Sequence, residues 1–128
     1  MKIASLIARL LLGLIFVVFG LNGFLNFLKG PMPTGLAAQF VLALIQSHYF
    51  WAIAALQIAG GVLLLVNRFV PLALVLLGPV IVNILLFHLT MAPSGMAPAI
   101  VVTILWAIVF YWHRQSFAGI FAARPTPE

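Results

Sequence analysis

Apolar residues run through this chain in long blocks, separated by short clusters of proline, glycine and polar residues. A helix that crosses a bilayer takes about 20 apolar residues, and four such runs can be drawn here. The first is expected over about residues 10–28, with Arg9 at its edge and Ile3 to Ala8 either extending it or lying in the interface. KGPMPTG, residues 29–35, ends it, because glycine and two prolines continue a helix poorly.

From Leu36 to Val66 the chain is almost continuously apolar, and as one straight helix it would overshoot a membrane core by about half. A break is therefore expected at QSHYFW, residues 46–51. That leaves a short interfacial helix over 36–45 and a second span over about 51–66. NRF, residues 67–69, is a tight connection, so the second and third spans should form an antiparallel hairpin. The third run covers about 70–89, with Pro79 expected to kink it. APSGMAP, residues 92–98, turns the chain into a fourth span ending near residue 111, with Pro98 suited to its first turn. Residues 115–128 form a C-terminal tail. The fold class this predicts is all-α: a single transmembrane domain, 1–128, built as an integral membrane four-helix bundle with one interfacial helix between the first two spans.

Composition supports that class. The 128 residues are 66% hydrophobic and 5% charged, whereas soluble domains carry about a quarter charged residues. The sequence has no cysteine, which removes disulfides, thiolate ligands and cysteine-held clusters. Its net charge of +5 comes from Lys2, Arg9, Lys29, Arg68, Arg114 and Arg124, which are scattered and never clustered, so nucleic acid is not an expected partner. They read as topology signals. With four spans, Lys29 alone falls on one side, and the positive-inside rule puts both termini in the cytoplasm. Tyr49 and Trp51 then mark the outer interface, and Tyr111 and Trp112 the inner one. The N-terminal MKIASLIARLLLGLIFVVFG imitates a secretory signal, but no convincing small-x-small cleavage site follows, and it is expected to be the first span.

With that topology, polar residues acquire depths. Asn22, Gln57, Asn83 and Thr103 fall at one level, roughly 9 Å below the outer boundary. Asn26, His88, Thr90 and His48 lie nearer the surface. Such residues commonly tie helices together, at about 0.6 kcal/mol each and up to about 1.7. Their shared level, with the inner leaflet nearly bare, raises the alternative of a ligand site. Within the third helix Asn83 and His88 stand about 140° apart while Asn83 shares a face with Thr90, and Asn83 is expected to face the bundle interior. Helix contacts are expected at small residues, Gly13, Gly20 and Gly23 in the first span and Ala55, Ala59 and Gly60 in the second.

Catalytic chemistry finds little footing. No HExxH, GxGxxG, P-loop or GxSxG pattern is present, and the only acidic residue is Glu128, so an acidic proton relay is missing. His48 and His88 near one interface raise a bis-histidine haem, but no second element of a haem motif accompanies them. No metal or haem is expected.

RLLLGLIFVVFGLNGF in the first span and QIAGGVLLLVNRFVPLALVLLGPVIV across the second and third resemble the DoxX family of small four-helix bacterial membrane proteins. The resemblance extends from Arg9 to about His88. It rests on an arginine before a glycine-containing apolar run, a double glycine and a basic turn. It implies association with membrane redox complexes, since the family is named for a subunit linked to quinone-reducing thiosulfate oxidation, and some members are thought to assemble with detoxifying redox enzymes. Family members often carry an acid just before the double glycine, where this chain has Gln57.

The functional expectation is a non-catalytic accessory subunit of a quinone-linked redox complex, with other membrane subunits or further copies of itself as partners in the bilayer. Asn22, Asn26, Gln57, Asn83, His88 and Thr103 are its candidate ligand-binding residues, and a bound quinone is the only cofactor it would hold. Asn22, Gln57, Asn83 and His88 would serve as donors to the quinone oxygens. The rival expectations are a structural or assembly protein without a ligand, which predicts an internally paired polar layer and no cavity, and a small-solute carrier working as an oligomer.

Overall fold

A computed structural model describes residues 2–26 and 33–124. The end of the first expected span, the loop around Lys29 and the last four residues of the tail lie outside the described residues. Those described are helical, without strands: α1 (Lys2–Leu25), α2 (Gly35–Gln46), α3 (Tyr49–Leu65), α4 (Val70–Thr90) and α5 (Met96–Trp112), with 3-10 turns at Pro93–Gly95 and Arg114–Phe117. Three helical segments, α1, α4 and α5 with its preceding turn, are long and apolar enough to cross a membrane. A fourth is added if α2 and α3, bent by 83° at their junction, count as one.

The apolar surface is too large for a core alone. In the most apolar 18-residue stretch of Pro93–Trp112 the mean hydropathy is 1.9, yet only 17% of it is buried. Leu14, Leu56, Val82, Leu86 and Ile104 stand exposed on the outer faces of four different helices. Helices apolar on every side belong in lipid, where the outer faces need no polar cover.

Each helix ends for a local reason. Asn26 carries α1 into the left-handed region at φ 52, a conformation asparagine tolerates better than most residues. At the α2–α3 break His48 is left-handed too, at φ 62. There the Ser47 hydroxyl donates to the Leu44 carbonyl and accepts the Tyr49 N–H at 3.2 Å, relaying a bond the bent backbone cannot make directly. The α3–α4 turn is a Schellman closure: Arg68 N–H donates to Leu63 O at 3.1 Å and Asn67 N–H to Leu64 O at 3.3 Å, with Asn67 at φ 57. Pro71 then sits in the first turn of α4, where its missing N–H costs nothing.

The main packing is α1 against α3, antiparallel and close. α1 presents Ser5, Ala8, Arg9, Leu12, Gly13, Phe16 and Gly20. α3 meets it with Ala54 and Gly61, while Gly60 faces Leu77 of α4. The glycines expected on α1 take part. On α3, Ala55 and Ala59 are exposed instead, because the contact stripe follows Ala54, Gln57, Gly61 and Leu64, one position from Ala55 and two from Ala59.

Arg9 departs furthest from the role of a terminal charge. It is buried, and its guanidinium donates to the Leu64 carbonyl at the C-terminal end of α3. Trp106 makes a second crossing bond, from its indole N–H to Leu74 O at 3.0 Å, joining α5 to α4 just before Pro79. α4 is helical through Pro79. At the other end of the bundle α2 lies over α3 and reaches α4, with Phe40 and Phe87 ring centroids 5.6 Å apart.

Candidate functional site

The second residues of α3 and α5 and the late turns of α1 and α4 converge at one end of the bundle. A cavity of about 720 Å³ opens there, walled by Ile15, Phe16 and Phe19 of α1, Phe50 of α3, Ile84 of α4, and Ala99 and Val102 of α5. Three polar residues from three helices reach it: Asn22, Gln57 and His88. An apolar chamber with a few placed polar groups is the usual form of a small-molecule site.

Gln57 is 6% exposed, and its Oε1 has no hydrogen-bond partner among the described residues. A buried acceptor left unmade costs about 1–3 kcal/mol. Asn22 is partly buried and already has an interaction of its own. His88 turns Nδ1 to the Ile84 carbonyl at 2.9 Å. A carbonyl oxygen only accepts, so it holds the imidazole proton on Nδ1 and leaves Nε2 of the neutral ring as an acceptor. The ring is braced edge-on by Phe87 at 5.1 Å, and Gly95 lies so close that a Cβ there would stand 2.8 Å from His88 Cδ2.

No protein-family model, curated protein or solved structure matches this chain. The site is therefore read from its own geometry.

The remaining expected site residues do not join the cavity wall. Asn83 is exposed and donates through Nδ2 to Pro79 O at 2.8 Å, which corrects its expected inward orientation. Asn83 and Thr90 do share a face, but it is the outer one. The buried stripe of α4 runs Val70, Ala73, Leu74, Leu77, Val80 and Ile81, and its continuation by threes and fours reaches Ile84 and His88. Thr103 is partly buried but donates back to Ala99 O at 2.7 Å and does not line the cavity. Asn26 is exposed at the end of α1, and His48 is exposed at the α2–α3 break.

Back-bonding lets three of the residues outside the cavity do without a polar neighbour; His88 makes the same bond through Nδ1 but has a second ring nitrogen left over. Asn83, Thr90 and Thr103 all donate to the carbonyl four residues earlier in their own helix. Such back-bonding satisfies a short polar side chain without a neighbouring helix. Gln57 instead lines the cavity, with its Oε1 unpartnered among the described residues.

Two functional features had weak signals in sequence. Arg9 lies two helical turns after Lys2 with no acid near it in sequence, the one sign that its charge has a partner other than a carboxylate. Gly95 read as a turn residue, whereas its additional role is to admit the imidazole of His88.

Proposed function

We propose that the chain is a multi-pass protein of the bacterial inner membrane with both termini in the cytoplasm. In this reading α1, α3, α4 and α5 cross, and α2 lies in the outer interface. The excess of Lys and Arg on the side of Lys2, Arg68 and Arg114 supports the orientation. The 83° bend supports the placement of α2.

Within that membrane it acts as a non-catalytic accessory subunit of a quinone-linked redox assembly, as its resemblance to the DoxX family implies. The cavity holds the head group of the quinone pool in its reduced, quinol form. The observation that carries this is the unpartnered Gln57 Oε1 beside the chamber, with His88 offering a second acceptor. Acceptors want a hydroxyl donor. This reverses the polarity expected from sequence, where the same residues were donors to quinone carbonyls. An open chamber also weighs against a purely structural role, which needs the polar layer to pair off internally.

The test is extraction of the protein and its native complex in mild detergent under reducing and oxidising conditions, followed by mass spectrometry of bound lipid-soluble quinones. Quinol should be retained at about one per chain and in preference to quinone. Absence of any quinoid from both preparations would end this reading.

A further inference from the structure

The opposite end of the bundle holds a second, smaller cleft of about 230 Å³, lined by Lys2, Ser5, Arg9, Asn67, Trp112 and His113. The start of α1, the α3–α4 turn and the end of α5 all contribute. Lys2 and Arg9 are both cationic. His113 commits Nδ1 to Val109 O at 3.0 Å, which leaves Nε2 free of that bond. Among the described residues there is no aspartate or glutamate, so none of them opposes the buried Arg9 cation with a carboxylate.

Helix dipoles do not supply the missing charge. This end gathers the N-termini of α1 and α4 and the C-termini of α3 and α5, whose half-charges of opposite sign roughly cancel. The Arg9 bond to Leu64 O occupies one guanidinium N–H, and arginine has five. The rest of the fork and the Lys2 ammonium face a cleft that wants an anion, for which planar guanidinium and phosphate are well matched. Trp112, exposed beside it, is the residue type that sits at head-group level in a bilayer.

We propose that this cleft binds the phosphate of an anionic phospholipid head group, with Arg9 as the principal ligand and Lys2 as its partner. A lipid is favoured over free phosphate because the cleft opens between apolar outer faces: Leu6, which also lines it, is 46% exposed. The inference rests on the membrane reading above but not on the quinol cavity at the other end.

The test is native mass spectrometry of the full chain in mild detergent, supplied with equal amounts of phosphatidylglycerol and phosphatidylcholine. The wild type should retain phosphatidylglycerol about tenfold more than phosphatidylcholine, which offers the same phosphate but adds a choline cation that Lys2 and Arg9 repel. Arg9→Gln should abolish the preference and Asn83→Leu should leave it intact. If Arg9→Gln fails to fold, the Lys2→Gln/His113→Gln double variant takes its place and should weaken the preference several-fold. Equal retention of the two lipids by the wild type overturns the proposal, as does an undiminished preference in the folded variant used. Displacement of phosphatidylglycerol by millimolar inorganic phosphate would overturn it too, by making the occupant a free anion.

Discussion

Gly13 and Gly61 touch backbone to backbone: a Cβ on Gly13 would stand 2.9 Å from the Gly61 carbonyl oxygen, and one on Gly61 would stand 2.8 Å from that of Gly13. The same antiparallel register brings Gly20 to Ala54 and Gly23 to Phe50. Small residues at that spacing let two membrane helices approach without side chains between them, and dispersion and backbone contact then hold them.

Gly13→Ala should therefore destabilise the bundle by about 1–3 kcal/mol, because the obstacle is backbone and cannot rotate away. Gly78→Ala is the control. Its nearest neighbour would be Trp106 Cζ2 at 3.8 Å, ordinary contact, and a helical glycine replaced by alanine gains about 0.5–1 kcal/mol. Thermal unfolding in mild detergent, followed by far-ultraviolet circular dichroism, should move in opposite directions for the two. An unchanged melting temperature in Gly13→Ala would remove the close approach from the account.

Trp106→Phe tests the other crossing bond. The ring of residue 106 stacks on Phe110, with centroids 5.2 Å apart and planes 6° from parallel, and phenylalanine can keep that contact. What it loses is the indole N–H to Leu74 O. The expected cost is about 0.5–1.5 kcal/mol, read in the same unfolding experiment. No loss would mean that the bond to α4 is replaced by another donor.

How much of this was legible in the sequence depended on contrast. The helix ends at Asn67 and Gln46–Tyr49, and the α1 glycines, stood out because turn residues and small residues differ from the leucine-rich background. The inward face of α4 did not. With Val82, Leu86 and Leu89 outside and Leu74, Leu77 and Ile81 inside, no polar stripe marks either side, and an unpaired asparagine facing lipid would carry a desolvation penalty. Back-bonding to Pro79 O removes that penalty. Arg9 was hidden in the same way: a lone cation near a helix start reads as a topology signal, and only the arrival of the α3 C-terminus turns it into a cap.

The two polar positions of α4 should consequently respond differently. Asn83→Leu is expected to change stability by no more than about 0.5 kcal/mol, as for other outward substitutions free of special contacts. Gly95→Ala, by contrast, must displace the His88 ring, since its Cβ would lie 3.0 Å from Nε2. Side-chain nitrogen resonances of His88 should shift in Gly95→Ala and stay in place in Asn83→Leu. Equal shifts in both would show that the imidazole is not held by Gly95.

Gln57→Leu separates a binding group from a packing group, because the two roles predict opposite signs. Gln57 Oε1 is an acceptor without a partner among the described residues, so the ligand-free chain bears the desolvation of that oxygen with nothing in return. Leucine fills similar space and carries no polar atom. Ligand-free Gln57→Leu should therefore be more stable than the wild type, by about 1 kcal/mol at the lower end of the range for a buried unmade bond. Quinol retention should fall about tenfold in the same variant, since about 1.4 kcal/mol lost from binding is a factor of ten. Stability is read from thermal unfolding after exhaustive delipidation, and retention from mass spectrometry of the gently extracted protein. If Gln57 serves only to tie α3 to a neighbour, the substitution lowers stability in every preparation and leaves quinol retention unaltered, and the cavity loses its claim to a hydroxyl-bearing ligand.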